Sequence, residues 1–248
     1  MLRSLVVGLF LVLLPLPAAA RIWRAPDPWP ADLASRTRVL IIGDSNIYGP
    51  LGGVLQDALV DAGYVVYRNG KPSTGLSRQD RYDWFLHAQQ MIDELDPQVV
   101  IAQFGGNDVL QVNWASMPGK HVSFKHEEAW RPIYRERVRS FLTLLAKNGR
   151  RVFFLSPTNR GQGASRVKRV HDEQRIAAAG VDHVTFIDMW PLTTDERGRW
   201  LYAVRDAAGK RVVVRRGDRI HLNDEGGQLI GHRVLAILKN DGLKIGAR

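Results

Sequence analysis

Short apolar blocks recur along the chain, separated by stretches in which apolar residues return every three to four positions. Residues 38–42 hold Val39, Leu40, Ile41 and Ile42 in one unbroken run, which predicts a strand buried on both faces. Blocks of the same kind lie at 64–67, 99–102, 152–155 and 184–187. Residues 51–62 place Leu51, Leu55, Ala58 and Leu59 on one helical face, with Gly63 as a stop. Helices are also predicted over 82–95, 127–147, 165–179 and 225–238. Strands alternating with helices imply βαβ units, here a parallel five-stranded sheet covered by helices on both faces. Two segments break the rhythm. Residues 109–125 form a long loop without period, and Trp114, Met117 and Phe124 in it are candidates for one wall of a cleft or for packing beneath the loop. Residues 199–204 and 210–214 flank a turn, which predicts a β-hairpin inserted before the last helix.

In sheets of this class, sites form in the crevice at the carboxyl ends of the strands. Four clusters fall there. Gly43-Asp44-Ser45-Asn46 follows the first strand, and Ser73-Thr74-Gly75 lies beyond the second. Gly105-Gly106-Asn107-Asp108 follows the third, and Gly217-Asp218-Arg219-Ile220-His221 precedes the last helix. Each alone reads as an ordinary turn. Together they supply the complementary parts of nucleophilic catalysis. Ser45 needs a base to take its proton, and His221 is the candidate. Asp218, three residues earlier, would hold the imidazole tautomer. The Ser45 N–H, the Gly75 N–H and the Asn107 amide are candidate donors to an oxyanion. His87 is placed within a helix, and His121 and His126 within the long loop; His171, His183 and His232 have no adjacent chemistry in the sequence. No spacing suggests a metal site.

Composition then narrows the setting. Of 248 residues, 45% are hydrophobic and 24% charged, which fits one globular domain. There is no cysteine, so disulfides, thiolate chemistry and Cys-based zinc sites are excluded. The net charge of +10 favours either a well-solvated surface or an anionic partner. Residues 1–20 have the layout of a secretory signal peptide: Arg3, an apolar run over 5–14, Pro15 and Pro17, then Ala18-Ala19-Ala20. The alternative is an uncleaved anchor, for which the run is short. Residues 21–36, rich in Pro and Trp, read as an extended lead-in, and 37–248 as the catalytic domain. Export to the periplasm or exterior argues against nucleic acid as the anionic partner, and no stable membrane insertion is expected once the signal is cleaved.

The four clusters resemble the blocks of the SGNH (GDSL-type) hydrolases. Ser45, Gly75, Asn107 and His221 stand for the Ser, Gly, Asn and His of that name. A closer similarity, to an exported bacterial branch of uncharacterised SGNH proteins, rests on Ser73-Thr74-Gly75-Leu76 followed by Tyr82-Asp83-Trp84. It also rests on the hairpin before Asp218 and on Ile220-His221-Leu222 leading into a Gly-rich helix start. The resemblance implies a three-layer α/β/α flavodoxin-like fold, ester hydrolysis or acyl transfer, and no cofactor. One departure is Arg219, where the branch often has glycine; its charge is expected to point to water, with contact to an anionic substrate as the alternative. The substrate expected is an acyl ester, with small O-acyl groups on cell-envelope carbohydrate foremost. An O-acyltransferase using the same triad and a non-catalytic glycan-binding protein are the competing expectations.

Overall fold

The computed structural model describes residues 35–109, 112–113 and 121–245. The expected signal segment, nearly all of the lead-in, and Trp114 and Met117 lie outside the described residues. Five parallel strands make the central sheet: β1 (Arg38–Gly43), β2 (Val65–Gly70), β3 (Val99–Gln103), β6 (Arg151–Leu155) and β7 (Val184–Ile187), in the order β2-β1-β3-β6-β7. Chain direction across the sheet reverses beside β1, between its neighbours β2 and β3, the switch point at which flavodoxin-like sheets place their sites. Two-residue strands β4 (Val112–Asn113) and β5 (His121–Val122) pair antiparallel, as do β8 (Ala203–Arg205) and β9 (Arg211–Val213). The helices are α1 (Ser45–Tyr48), α2 (Pro50–Asp61), α3 (Trp84–Leu95), α4 (Glu127–Ala146), α5 (Ala164–Ala178) and α6 (Asp224–Asn240).

Alternation along the strands divides the core in two. Leu40, Ile42, Val100, Ala102, Val152 and Phe154 face α3, α4 and α5. Val39, Ile41, Val99, Ile101, Phe153 and Leu155 face α2 and α6. This is why the strands read as continuous apolar runs: both faces of the sheet are covered. The three-layer arrangement and the hairpin before the last helix agree with expectation. The approach of α6 to α2 explains the glycines at its start, because a Cβ on Gly227 would lie 2.2 Å from Pro50 Cβ.

The structure differs from expectation at two places and settles a third. α3 begins at Trp84 rather than Tyr82, because the Asp83 carboxylate accepts from the Phe85 and Leu86 N–H groups and so caps the helix. The segment 109–125, expected as a loop without structure, contains the β4–β5 ladder. Phe124 is buried and packs edge-on against Trp130, 4.6 Å between ring centres, so it belongs to the core beneath the segment rather than to a cleft wall.

Candidate active site

β1 ends at Gly43, which touches β3 so closely that a Cβ would lie 2.3 Å from the Gln103 carbonyl. The chain then turns at once into α1. Asp44 caps this short helix, its Oδ1 accepting from the Asn46 N–H at 3.0 Å, and Ser45 is the first helical residue. Ser45 therefore sits at the carboxyl end of the strand with its own N–H free of an intrahelical acceptor.

His221 arrives from the turn after β9. Asp218 Oδ1 accepts from the backbone N–H groups of Ile220 (2.8 Å) and His221 (3.0 Å), closing the turn on itself. Asp218 Oδ2 lies 2.7 Å from His221 Nδ1, and His221 Nε2 lies 3.0 Å from Ser45 Oγ. Three side chains expected from the sequence to act together thus form one hydrogen-bonded chain. Partial desolvation raises the Asp218 pKa, but the bonds from His221 and Ile220 outweigh it and bring the carboxyl down to about 2. It stays ionised and holds the proton on Nδ1, which leaves Nε2 as an acceptor toward the serine.

Gly75 and Asn107 are brought beside each other. Asn107 Nδ2 donates to the Thr74 carbonyl at 2.9 Å, so one amide hydrogen fixes the side chain against the Gly75 turn and the second is left over. Glycine at 75 is required by contact, since a Cβ would lie 2.2 Å from Asp108 Oδ1.

Around these residues stands a buried frame to which sequence reasoning assigned no role. Asp108 Oδ1 accepts from the Ser77 N–H (2.9 Å), and its Oδ2 accepts from the Tyr134 hydroxyl (2.6 Å). Gln174 Nε2 donates in turn to that hydroxyl oxygen at 3.0 Å. Burial raises the Asp108 pKa, partly offset by its bonds with Tyr134 and Ser77, and burial beside that carboxylate pushes the Tyr134 hydroxyl well up. Thr74 Oγ1 accepts from Trp84 Nε1 (3.0 Å), and Arg137 Nε donates to the Leu76 carbonyl. Asp44 is fully buried, with Oδ2 turned toward the backbone of Gly106; burial first, then the Asp108 charge, raise its pKa, and after the offset from backbone N–H groups it reaches about 7.

Arg215 holds the Asp218–His221 turn. Nearly all of its surface is buried, and it donates from Nη1 to the Ile220 carbonyl (2.7 Å) and Thr158 Oγ1 (3.2 Å), and from Nη2 to the Asn159 carbonyl (2.5 Å). Desolvation lowers its pKa to about 10 despite the Asp218 charge. The sequence signals for this frame were Asp44, Thr74, Leu76, Trp84 and Asp108, as members of the blocks; Arg215 reads as one of many surface arginines.

Arg219, expected to point to water, is exposed, but its guanidinium lies 5.0 Å from the centre of the Trp200 ring. Its φ of +61° explains the glycine preferred there, since only glycine enters that region without strain. Of the other histidines, His87 stacks on Tyr82, and His171 is buried with Nε2 2.9 Å from Asp188 and Nδ1 3.2 Å from Asp172. Among the described residues no group of three or more His, Asp or Glu side chains is arranged to hold a metal ion.

A cavity of about 250 Å³ opens onto Ser45 and His221, lined also by Tyr48, Pro50, Pro72 and Leu222. A larger one, of about 660 Å³, lies between the Thr194–Leu201 segment and the β8–β9 hairpin, and none of the five residues singled out above lines it.

Residues 38–237 match the family model described as Protein of unknown function (DUF459). The chain belongs to this family. A search of curated proteins finds no match to it. Among solved structures, a GDSL-like lipase from Bacteroides thetaiotaomicron is similar at 14% identity and a TM-score of 0.57, over 83% of this chain and 89% of that one. An acetyl xylan esterase from Geobacillus stearothermophilus is similar at 18% identity and a TM-score of 0.52, over 86% and 97%. A psychrotrophic esterase from Pseudoalteromonas is similar at 13% identity and a TM-score of 0.54, over 82% and 97%. The family member described here thus has the fold of the SGNH hydrolases, as its four sequence blocks implied.

Proposed function

We propose that the protein is an exported serine-dependent ester hydrolase that removes small O-acyl groups from cell-envelope carbohydrate. The observation that carries this reading is the unbroken chain from Asp218 through His221 to Ser45 at the carboxyl end of β1. Ser45 Oγ attacks the ester carbonyl as His221 Nε2 takes its proton. The oxyanion accepts from the Ser45 and Gly75 N–H groups and from the spare hydrogen of Asn107. His221 then gives its proton to the departing alcohol, and the acyl group remains on Ser45. Water, deprotonated by the same nitrogen, releases the acid and restores the serine.

The size of the cavity beside Ser45 and its Pro50, Pro72 and Leu222 walls support a short acyl group. The signal-like segment 1–20 supports a site of action in the periplasm or beyond. Among the described residues no helix is long and apolar enough to cross a membrane. A neighbour of the same fold, the acetyl xylan esterase, supports acylated carbohydrate as the substrate class.

Acyl transfer to an alcohol is the second reading. His221 and Asp218 are 38% and 43% exposed, so an acceptor hydroxyl reaches Nε2 as readily as water. Transesterification to added sugar during turnover of para-nitrophenyl acetate separates the two. The deciding experiment compares the wild type with Ser45→Ala on that ester. Activity that falls about a thousandfold or more in the variant is expected. Equal rates would sink the triad assignment, and a wild type inert toward all esters, with retained glycan binding, would favour a binding protein instead.

A further inference from the structure

Four arginines lie on the loops and turns beside this site, and among the described residues none is in a salt bridge with a carboxylate. Arg160 follows β6 and donates from Nη1 to the Gly106 carbonyl at 2.9 Å, one residue from Asn107. Its Nε is buried and unpartnered. Arg166, in the first turn of α5, is close enough that, after burial, its charge is the next cause lowering the Arg160 pKa. A Cβ on Gly163 would lie 3.3 Å from Arg166 Nε and 3.5 Å from an Arg160 nitrogen, which places the two guanidiniums side by side. Arg219 sits inside the Asp218–His221 turn, and its carbonyl accepts from the Gly161 N–H at 2.9 Å, which ties this turn to the loop bearing Arg160. Arg216 lines the cavity that holds Ser45 and His221. On α4 and α5, by contrast, Arg131, Arg135 and Arg169 are paired with Glu127 or Glu173. Arg160 also feels the Asp44 carboxyl, but that group is fully buried and its pKa is raised to about 7. Like charges gathered on neighbouring loops repel, and an anion brought between them relieves that repulsion. At Arg219 the charge is even carried on a strained left-handed backbone and braced on Trp200.

We infer that Arg160, Arg166, Arg216 and Arg219 form an anion subsite, so that the ester is cleaved on a substrate bearing a carboxylate or phosphate group near the scissile bond. This rests on the esterase reading and narrows its substrate to acidic compounds. Guanidinium forks suit both oxyanions, through paired N–H donors.

The test measures discrimination. Phenyl acetate, para-acetoxybenzoate and para-acetoxyphenyl phosphate place no charge, a carboxylate or a phosphate on the alcohol side, and monophenyl succinate places a carboxylate on the acyl side. Their intrinsic reactivities differ, so the quantity compared between proteins is kcat/KM for each anionic ester divided by that for phenyl acetate. Arg219→Gly removes the charge while relieving the backbone, and Arg160→Gln retains a donor toward Gly106. Each is expected to lower the ratio for at least one anionic ester by about tenfold, the scale of one charge-assisted bond. A larger loss with the carboxylates or with the phosphate tells which source the subsite serves. In parallel, calorimetric titration of Ser45→Ala with oligogalacturonate and with inorganic phosphate is repeated with Arg219→Gly added. The subsite stands if either the ratio or this binding falls with the arginines. It is overturned if neither moves. An inactive wild type whose Ser45→Ala form still binds anions through Arg219 would overturn the esterase reading alone.

Discussion

A serine hydroxyl becomes a nucleophile only when its proton has somewhere to go, and at Ser45 the proposed acceptor is His221 Nε2, 3.0 Å away. The residues that stabilise the product of that attack are distinguishable by kinetics. Asn107 spends one amide hydrogen on the Thr74 carbonyl, and in the proposed reaction the other acquires a strong acceptor only when the oxyanion forms. Asn107→Ala is therefore expected to lower kcat by about a hundredfold to a thousandfold, with KM changed little. Steady-state kinetics on a small acetyl ester checks this, and a raised KM at unchanged kcat would refute the oxyanion role. Asp218, with its pKa near 2, does not lose its charge in any mildly acidic assay, so an acid loss of activity well above that value does not originate in Asp218.

At the scale of elements, the site is an agreement among loops, and buried side chains enforce it. The turn carrying Gly75 is held to α4 through Asp108, Tyr134 and Arg137. The turn carrying His221 is held to the loop after β6 through Arg215, whose fork spans Thr158, Asn159 and Ile220. Arg215→Met keeps much of the buried volume but frees the Asp218–His221 turn and leaves two carbonyls without donors. It is expected to lower kcat by about tenfold or more, since small misplacement of a base costs rate steeply. Arg215→Lys should recover little of it, because a lysine presents no planar fork. Full activity in Arg215→Met would show that the turn holds its geometry alone.

Across the whole molecule, two carboxyls near Ser45 link stability to pH with opposite sign. Asp44 rises from 3.8 unfolded to about 7 folded, so the folded state keeps a proton that the unfolded state releases. Its contribution is full below 3.8 and is lost as pH climbs toward 7. Asp218 falls from 3.8 to about 2, so its contribution is present above 3.8 and is lost as pH drops toward 2. Asp44→Asn retains an acceptor for the Asn46 N–H and removes the titration. The fall in Tm between about pH 5 and about pH 8 should shrink in this variant by ~3 °C or more, the shift that about 1 kcal/mol produces in a chain of this size. Thermal unfolding across that range checks it, and an unchanged slope would mean that Asp44 is not the linked group.

Periodicity alone determined the sheet and its covering helices, because burial on both faces of β1, β3 and β6 writes itself as unbroken apolar runs such as Val39 to Ile42. The order of the blocks at strand ends likewise marked Ser45, Asp218 and His221, which meet in one hydrogen-bonded chain, and Asn107, which meets the turn before Gly75. The boundary of α3 was misplaced because the Asp83 cap is local chemistry that apolar spacing does not register. What only the tertiary structure decided is the company these residues keep. Arg215, Tyr134 and Gln174 act across separations of tens of residues, and the loop bearing Arg160 meets the Arg219 turn only because the chain after β6 and the last turn converge. Side-chain partners that distant leave no period in a sequence; the hydrophobic faces that bring them together do.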